Sequence, residues 1–560
     1  MASRNSPSQS SFIALRGGGN LLALYAAVSE RPRCLYCGPD LPGASPQELA
    51  QLSTQQHAPG GPQSPIMPSL LNTLGTGFAS PAGLIAHRRG QDWAIDLRVA
   101  AVEMETAQTA VLLCEDAVSG VAARHSFALH PDSGVLTCKT AIENRSDQTL
   151  ALEWCAALSL PIDPQLSRFM SFSGRWAGEF AVEEFSTSTG SFVKENRRGR
   201  TGHDAFPGLI AKTPEASEQF GLAAGFHLAW SGNSRLRLDH GTDGSGFVQM
   251  GELFLPGEIE LRKGETYQSP GFLAAYSNAG LSGVSEAFHR HLRSAVLDRR
   301  TADKMRPVHF NTWEALYFDH DEAALFDLAQ RAADVGAERF ILDDGWFGAR
   351  RSDAAGLGDW HVARDIYPNG LTPLADHVRS LGMEFGLWFE PEMVNADSDL
   401  YRAHPDWILR VDGAEPIPSR HQLPLDLTRQ EVSDYLFERI RALVGELSLG
   451  YIKWDMNRDV QHPGGSDGRP AAHRQTLALY ALIERLRSAH PALEIESCAS
   501  GGGRADFGIL RRCDRIWTSD NNDARSRHAI MRGASHFFPL SVLGNHVGPC
   551  LLYTSDAADE

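Results

Sequence analysis

Two acidic residues end short apolar runs, and together they could do paired-carboxylate chemistry. Tyr451-Ile-Lys453-Trp454 leads into Asp455, and strand alternation puts Lys453 and Asp455 on one face. An ammonium beside a carboxylate keeps it ionised, as a nucleophile requires. A buried structural ion pair is the competing account of the same two residues. Trp517-Thr-Ser519 leads into Asp520, a second carboxylate two runs later. Two carboxylates across a sugar ring are the minimum apparatus for breaking a glycosidic bond. One attacks the anomeric carbon, and the other protonates the leaving oxygen and then activates water. A gap of about 5–5.5 Å between them gives retention of configuration.

A third run, Leu342-Asp343-Asp344-Gly345-Trp346, ends in adjacent carboxylates that can accept from neighbouring sugar hydroxyls. A divalent cation is the rival ligand, but it needs further oxygen donors, and no DxD or histidine cluster accompanies the pair. Trp313, Trp346, Trp388 and Trp454 offer flat surfaces for pyranose faces, and core packing is the better account of any one of them. Glu496-Ser-Cys498-Ala-Ser-Gly501-Gly-Gly-Arg504 is glycine-rich, which allows close backbone approach to a ligand, but it lacks the Gly-Lys-Ser/Thr of a phosphate loop. Cys34-Leu-Tyr-Cys37 is a CxxC, but it lies in a segment that reads as strand and has no second ligand pair, so neither zinc nor redox chemistry is expected of it. No metal and no cofactor is called for.

Repeated strand–helix units must position these residues. The runs are Val308–Asn311, Arg339–Asp343, Glu384–Phe389, Tyr451–Trp454, Leu493–Ser497 and Ile516–Thr518, with a seventh in Phe537–Leu543. Between them lie amphipathic helices. Leu325, Leu328, Ala332 and Val335 form a stripe over Asp321–Val335, with Gly336 as the terminal glycine, and Thr428 with Glu431 has the pattern of a capping box. Polar residues follow nearly every run: Asn311 and Glu314, Asp343 and Asp344, Glu390 and Glu392, Asp455 and Asn457, Cys498, Asp520. One Asp after a strand is often only a helix cap. Six such ends in sequence favour a (β/α)₈ barrel, whose strand ends converge on one mouth.

Up to about residue 280 the rhythm is that of β-structure. Leu136, Cys138 and Ile142 alternate with polar residues, the turn Asn144–Asp147 follows, and Leu150, Leu152 and Trp154 alternate again, which predicts a hairpin. Similar strands recur around 92–103, 220–230 and 234–249, so an antiparallel β-sandwich is expected. The expected organisation is a sandwich over 1–280, a helical linker over 281–304, and a barrel over 305–550 that is incomplete at its C-terminal end. The last ten residues, 551–560, fit no preceding periodicity and read as a foreign or mis-read tail.

The chain has 560 residues, 42% hydrophobic and 22% charged, with a formal net charge of −17. The length calls for more than one core, and the acidic balance argues against nucleic acid or an anionic membrane as partner. No stretch approaches the roughly 20 apolar residues of a membrane span. The polar N-terminus lacks the apolar segment of a secretory signal, so a cytoplasmic location is expected.

Taken together, Asn311-Thr-Trp-Glu, Leu342-Asp-Asp-Gly-Trp-Phe, Gly386-Leu-Trp-Phe-Glu-Pro-Glu-Met, Lys453-Trp-Asp-Met-Asn-Arg, Ser497-Cys-Ala-Ser-Gly-Gly-Gly-Arg and Trp517-Thr-Ser-Asp resemble, in order and approximate spacing, the bacterial α-galactosidases of glycoside hydrolase family 36. The resemblance implies hydrolysis of terminal α-linked galactose, as in melibiose and raffinose-type sugars, by double displacement without metal. It implies Asp455 as nucleophile and Asp520 as acid/base. Asp343 and Asp344 would hold the 4- and 6-hydroxyls, Lys453 and Arg420 ring hydroxyls, and Cys498 and Gly501 the 2-hydroxyl, with Trp388 and Trp313 as walls. It also implies a homo-oligomer, commonly a tetramer. The family reads Ser-Asp-Asn-Thr-Asp where this chain has Ser519-Asp520-Asn521-Asn522-Asp523, which leaves Asp523 as a rival proton donor. The alternatives are an α-N-acetylgalactosaminidase, a galactosyl-transferring enzyme, or a truncated fragment without catalysis.

Overall fold

The computed structural model describes residues 11–52, 68–78, 80–187, 189–241, 245–298, 300, 304–545 and 547–548. The tail 551–560 lies outside the described residues. The chain divides into two compact units. The first takes most of the sequence up to Leu292. The second takes Arg293 onward together with two excursions from the N-terminal half, Ser173–Ala181 and Arg197–Phe206.

The first unit is built from antiparallel strands. A ten-stranded sheet contains Leu136–Asn144 beside Val121–Leu129, and a six-stranded sheet contains Leu150–Pro161 beside Gly246–Glu252. Alternation within Leu136–Asn144 buries Leu136, Cys138, Thr140, Ile142 and Asn144. The expected hairpin over 136–155 does not form, because its two strands belong to different sheets. The turn after Asn144 carries the chain from one layer to the other, so the two apolar faces meet across the sandwich. Thr140 Oγ1 crosses that interior to donate to the Ala157 carbonyl at 2.7 Å. A period of two says which face is buried, not whether the next strand pairs alongside or opposite.

Cys34 and Cys37 lie in the strand Arg33–Pro39. Burial pushes the Cys34 thiol well up and the Cys37 thiol up to about 12, so neither is a ready thiolate.

In the second unit seven parallel strands follow one another in chain order: His309–Asn311, Arg339–Leu342, Glu384–Phe389, Tyr451–Trp454, Glu494–Ser497, Arg515–Trp517 and Leu543–Gly544. They are called here the first to seventh barrel strands. Sequential parallel order with helical crossovers is the (β/α)₈ pattern. The helix Glu322–Asp334 follows the first strand, and Asp321 caps it by accepting from the Ala324 amide at 2.7 Å. Its stripe is Leu325, Ala329 and Ala332. Val335, expected in that stripe, is 83% exposed, because the helix ends one residue earlier and the 3.6-residue period ends with it. The capping box at Thr428 is also absent. The helix Gln430–Leu447 starts from Arg429, Glu431 bonds the Arg429 side chain, and Thr428 Oγ1 donates to Asp426. Among the described residues no helix is long and apolar enough to cross a membrane.

Candidate active site

Parallel strands of two to six residues expose their C-terminal ends together, and there the chemistry-bearing side chains collect. Asp455 directly follows the fourth strand and is 6% exposed. Its Oδ2 accepts from the Trp388 indole at 3.1 Å and from Asn457 Nδ2 at 2.9 Å, and its Oδ1 from the Met456 amide at 2.8 Å. Burial pushes this carboxyl up. The Lys453 charge and the bonds from Asn457, Cys498 and the Met456 amide outweigh it and hold the group below its ordinary range. Cys498, 1% exposed, has its thiol pushed well up by burial and by Asp455, so it serves that carboxylate as a neutral S–H donor.

Lys453 makes its ion pair with another strand end. Its Nζ lies 2.9 Å from Asp343 Oδ2, which also accepts from Asn311 Nδ2 at 2.6 Å. Both oxygens of Asp344 are held by Arg350, at 3.0 Å from Nε to Oδ1 and 2.7 Å from Nη2 to Oδ2. The two adjacent carboxylates therefore diverge, each with its own cationic partner. Burial still pushes Asp344 up against the pull of Arg350. Lone pairs on both remain for hydroxyl donors.

Asp520 is half-buried beyond the sixth strand. Trp517 Nε1 donates to its Oδ1 and Trp176 Nε1 to its Oδ2, both at 2.8 Å. Asp523, the rival donor, is a helix cap: its side chain accepts from the Arg525 and Ser526 amides at the start of Ala524–Ser535.

One loop joins the two principal carboxylates. The Ser500 amide reaches Asp455 Oδ1 at 3.4 Å, and a Cβ on Gly501 would lie 2.9 Å from the Asp520 amide nitrogen. Ser500 and Gly501 both hold positive φ, +48° and +73°. Glycine alone fits the second position, because the φ is left-handed and the Cβ space is already filled. Trp388 is 2% exposed and meets the site through its indole N–H. Trp313 is half-buried, with the rings of Tyr317 and Phe318 packed edge-on at 5.2 and 5.1 Å. Trp346 and Trp454 are core: the first donates to the Trp388 carbonyl, the second to Glu392. Arg420 is exposed, on a left-handed stretch with His421, and reaches the cluster through its charge on Glu390.

Two side chains around this site, Trp176 and Glu179, have no counterpart in the sequence reading, and a third, Glu390, is marked there only as a strand-end carboxylate without a role. Glu390, fully buried, accepts from the Asn457 amide and from Gln422 Nε2, and burial with the Asp455 charge pushes it up to about 7. Trp176 and Glu179 arrive from the excursion Ser173–Ala181, more than 330 residues before Asp520. Its place after an apolar run is the signal that marks Glu390 in the sequence. No local signal marks Trp176 or Glu179.

The class of molecule is thus a β-sandwich joined in sequence to a (β/α)₈-type barrel with two principal carboxylates at its mouth. Comparison with known proteins agrees. The Melibiase family matches residues 266–551, and the glycosyl hydrolase family 36 N-terminal domain matches residues 30–262. An α-galactosidase of Escherichia coli is 46% identical over 477 residues, covering 85% of this chain and 66% of that protein. Alpha-galactosidase AgaA of Geobacillus stearothermophilus is 37% identical over 450 residues, covering 79% and 62%. The chain thus spans just under two thirds of the length of these curated relatives. The crystal structure of the AgaA enzyme superposes with a TM-score of 0.89 at 30% identity, covering 96% of this chain and 79% of that one. A variant of it solved in complex with raffinose gives a TM-score of 0.90 at 31% identity, with the same coverage.

The chain belongs to glycosyl hydrolase family 36.

Proposed function

We propose that the chain is a retaining α-galactosidase that removes terminal α-linked galactose from raffinose-type oligosaccharides. The observation that carries this is the placing of Asp455 and Asp520 on either side of the loop Cys498–Gly501, in different electrostatic settings. Asp455 is held as an anion and suits attack on the anomeric carbon. Asp520, half-buried and with an indole on each oxygen, suits protonation of the leaving oxygen and later activation of water. In the first step the Asp455–C1 bond forms as the glycosidic C1–O bond breaks, and the leaving oxygen takes the Asp520 proton. Water then replaces Asp455 at C1 and returns a proton to Asp520.

Asp343 with Lys453, and Asp344 with Arg350, form two polar anchors for ring hydroxyls beside the nucleophile. The buried Cys498 leaves little room for a 2-acetamido group, which favours galactose over N-acetylgalactosamine. The names of the relatives and the raffinose and stachyose complexes of AgaA variants support the substrate class. A homo-oligomer, commonly a tetramer by the family resemblance, belongs to the same proposal and is checked by light scattering.

The test is turnover of an aryl α-galactoside and of raffinose by the chain and by Asp455→Ala and Asp520→Ala. Asp455→Ala should lose on the order of 10⁴-fold in kcat on both. Asp520→Ala should lose raffinose turnover while keeping part of its activity on an aryl galactoside with an acidic phenol, which needs little protonation on leaving. Turnover that survives Asp455→Ala overturns the mechanism.

A further inference from the structure

Glu179 carries a carboxyl that double displacement does not use. It is 2% exposed, on the excursion Ser173–Ala181 that packs with the barrel. Its Oε2 accepts from the Ser519 hydroxyl at 2.5 Å, and its Oε1 from the Ala177 amide at 3.3 Å. A Cβ on Gly501 would lie 2.6 Å from the same Oε1. Glu179 therefore touches the turn that carries Trp176, the residue before Asp520, and the loop between the two carboxylates. The Asn521 side chain adds a bond to the Ala177 carbonyl at 2.8 Å, so turn and loop are joined on both sides of Asp520.

We propose that Glu179 is a positioning residue for Asp520: its bonds to Ser519 and Ala177 fix how the indoles of Trp176 and Trp517 meet that carboxylate. This rests on the reading of Asp520 as the acid/base. A general acid must release its proton from one of two oxygens, and each of these already accepts an indole N–H. Small rotations of the 517–521 segment decide which oxygen is free to carry the proton, and Glu179 with Ser519 restrains that rotation. A buried carboxyl with no such task is an expense to the fold.

The charged and titratable groups that face Glu179 are Asp520, His203 and Arg527. His203, on the excursion Arg197–Phe206, has its Nε2 4.0 Å away. Burial and the Arg200 charge hold it below its ordinary range. Arg527, from the helix Ala524–Ser535, donates to the Ser519 carbonyl at 2.6 Å and feels both carboxylates. Burial pushes Glu179 up to about 7, and Asp520 adds to the shift. Near neutral pH the group therefore changes charge.

The experiment compares Glu179→Gln and Ser519→Ala with the parent chain on raffinose and on an aryl α-galactoside with an acidic phenol. Glu179→Gln should cost about ten-fold more on raffinose than on the aryl substrate, because only the poor leaving group needs a well-placed acid. Ser519→Ala loses the same clamp and should show the same leaving-group dependence. Glu179→Gln with equal losses on both substrates overturns the proposal. If that variant does not fold, equal losses in Ser519→Ala overturn it instead. Asp520→Ala separates the two readings. If it turns over raffinose like the parent, the acid/base assignment falls and takes this one with it. If it behaves as an acid-deficient enzyme while Glu179→Gln is silent, Glu179 alone is refuted. A parent chain that hydrolyses neither substrate overturns both.

Discussion

At the scale of single residues, neighbouring carboxyls at the barrel mouth sit in unlike surroundings. Asp455 is an anion by virtue of Lys453 and three donors, whereas Glu390, beside it, is raised to about 7 by burial and by Asp455 itself. An acid whose folded value lies above its unfolded one binds more protons folded than unfolded. Stability then falls as pH rises from the ordinary glutamate range, about 4.3, toward 7. Glu390→Gln removes that loss and keeps an acceptor for the Asn457 amide. Its melting temperature relative to the parent should therefore rise between pH 5 and pH 8; a difference that stays flat with pH refutes the assignment. Gly501 gives a second prediction at this scale. Alanine there would keep φ near +73° and put a Cβ 2.6 Å from Glu179 Oε1 and 2.9 Å from the Asp520 amide. Strain of about 1–3 kcal/mol is expected, relieved by displacing Asp520. Gly501→Ala should lose on the order of 10²-fold in kcat/KM on an aryl α-galactoside, as catalytic groups moved by about 1 Å do. Unchanged kinetics would show that the loop does not set the distance between the two acids.

At the scale of elements, the caps separate what pattern can read from what it cannot. Asp321 is a true N-cap, and Asp321→Ala should cost about 1 kcal/mol in a urea titration. Glu431→Ala, the apparent partner in a capping box that does not form, should cost less than Asp321→Ala, since it removes only an exposed ion pair with Arg429. Equal costs would mean that the ends of the two helices are held alike. The first six strands of the barrel were legible because each is a short apolar run closed by a polar residue; the seventh, expected in Phe537–Leu543, is Leu543–Gly544, because Leu540–Val542 turns as a 3₁₀ helix before it. Asp343, Asp455 and Asp520 could be marked as candidates for the same reason: in a parallel barrel the ends of the runs converge on one mouth. The layer change after Asn144 was not legible, since strands that face each other and strands that pair side by side share one alternation. Nor were Trp176 and Glu179, which come to Asp520 through a chain reversal hundreds of residues away and carry no motif. The pairing of Lys453 with Asp343 escaped notice too, because sequence adjacency pointed to Asp455 and the contact crosses from the second strand to the fourth.

At the scale of the molecule, the end of the barrel opposite the mouth is held by buried charge where an apolar layer would be usual. Arg339, fully buried at the start of the second strand, donates to Glu494 at 3.1 Å and to Glu384, and lies over the Tyr451 ring at 4.6 Å. It therefore ties the second strand to the third, fourth and fifth. Arg339 and Arg515 both point at His309 Nε2, at 3.0 and 3.3 Å, which ties in the first and sixth strands. Accepting from two guanidinium groups requires a neutral imidazole, and burial with those charges holds His309 down at about 2. Glu494 is pushed up by burial, but the charges of Arg339 and Lys304 bring it below its ordinary range. Its contribution to stability is therefore full above about pH 4.3 and lost as the pH falls through the folded value. Arg339→Met removes the larger partner and leaves Glu494, 1% exposed, with Lys304. Breaking a buried pair on one side costs about 3–5 kcal/mol, enough to lower the melting temperature sharply at pH 7. The sign of the pH dependence then reverses, since a carboxyl dominated by burial is better tolerated once protonated. The stability deficit of Arg339→Met relative to the parent should shrink between pH 7 and pH 5. A deficit that is constant, or that grows on acidification, would mean that Arg339 acts by packing on Tyr451 and not by neutralising Glu494.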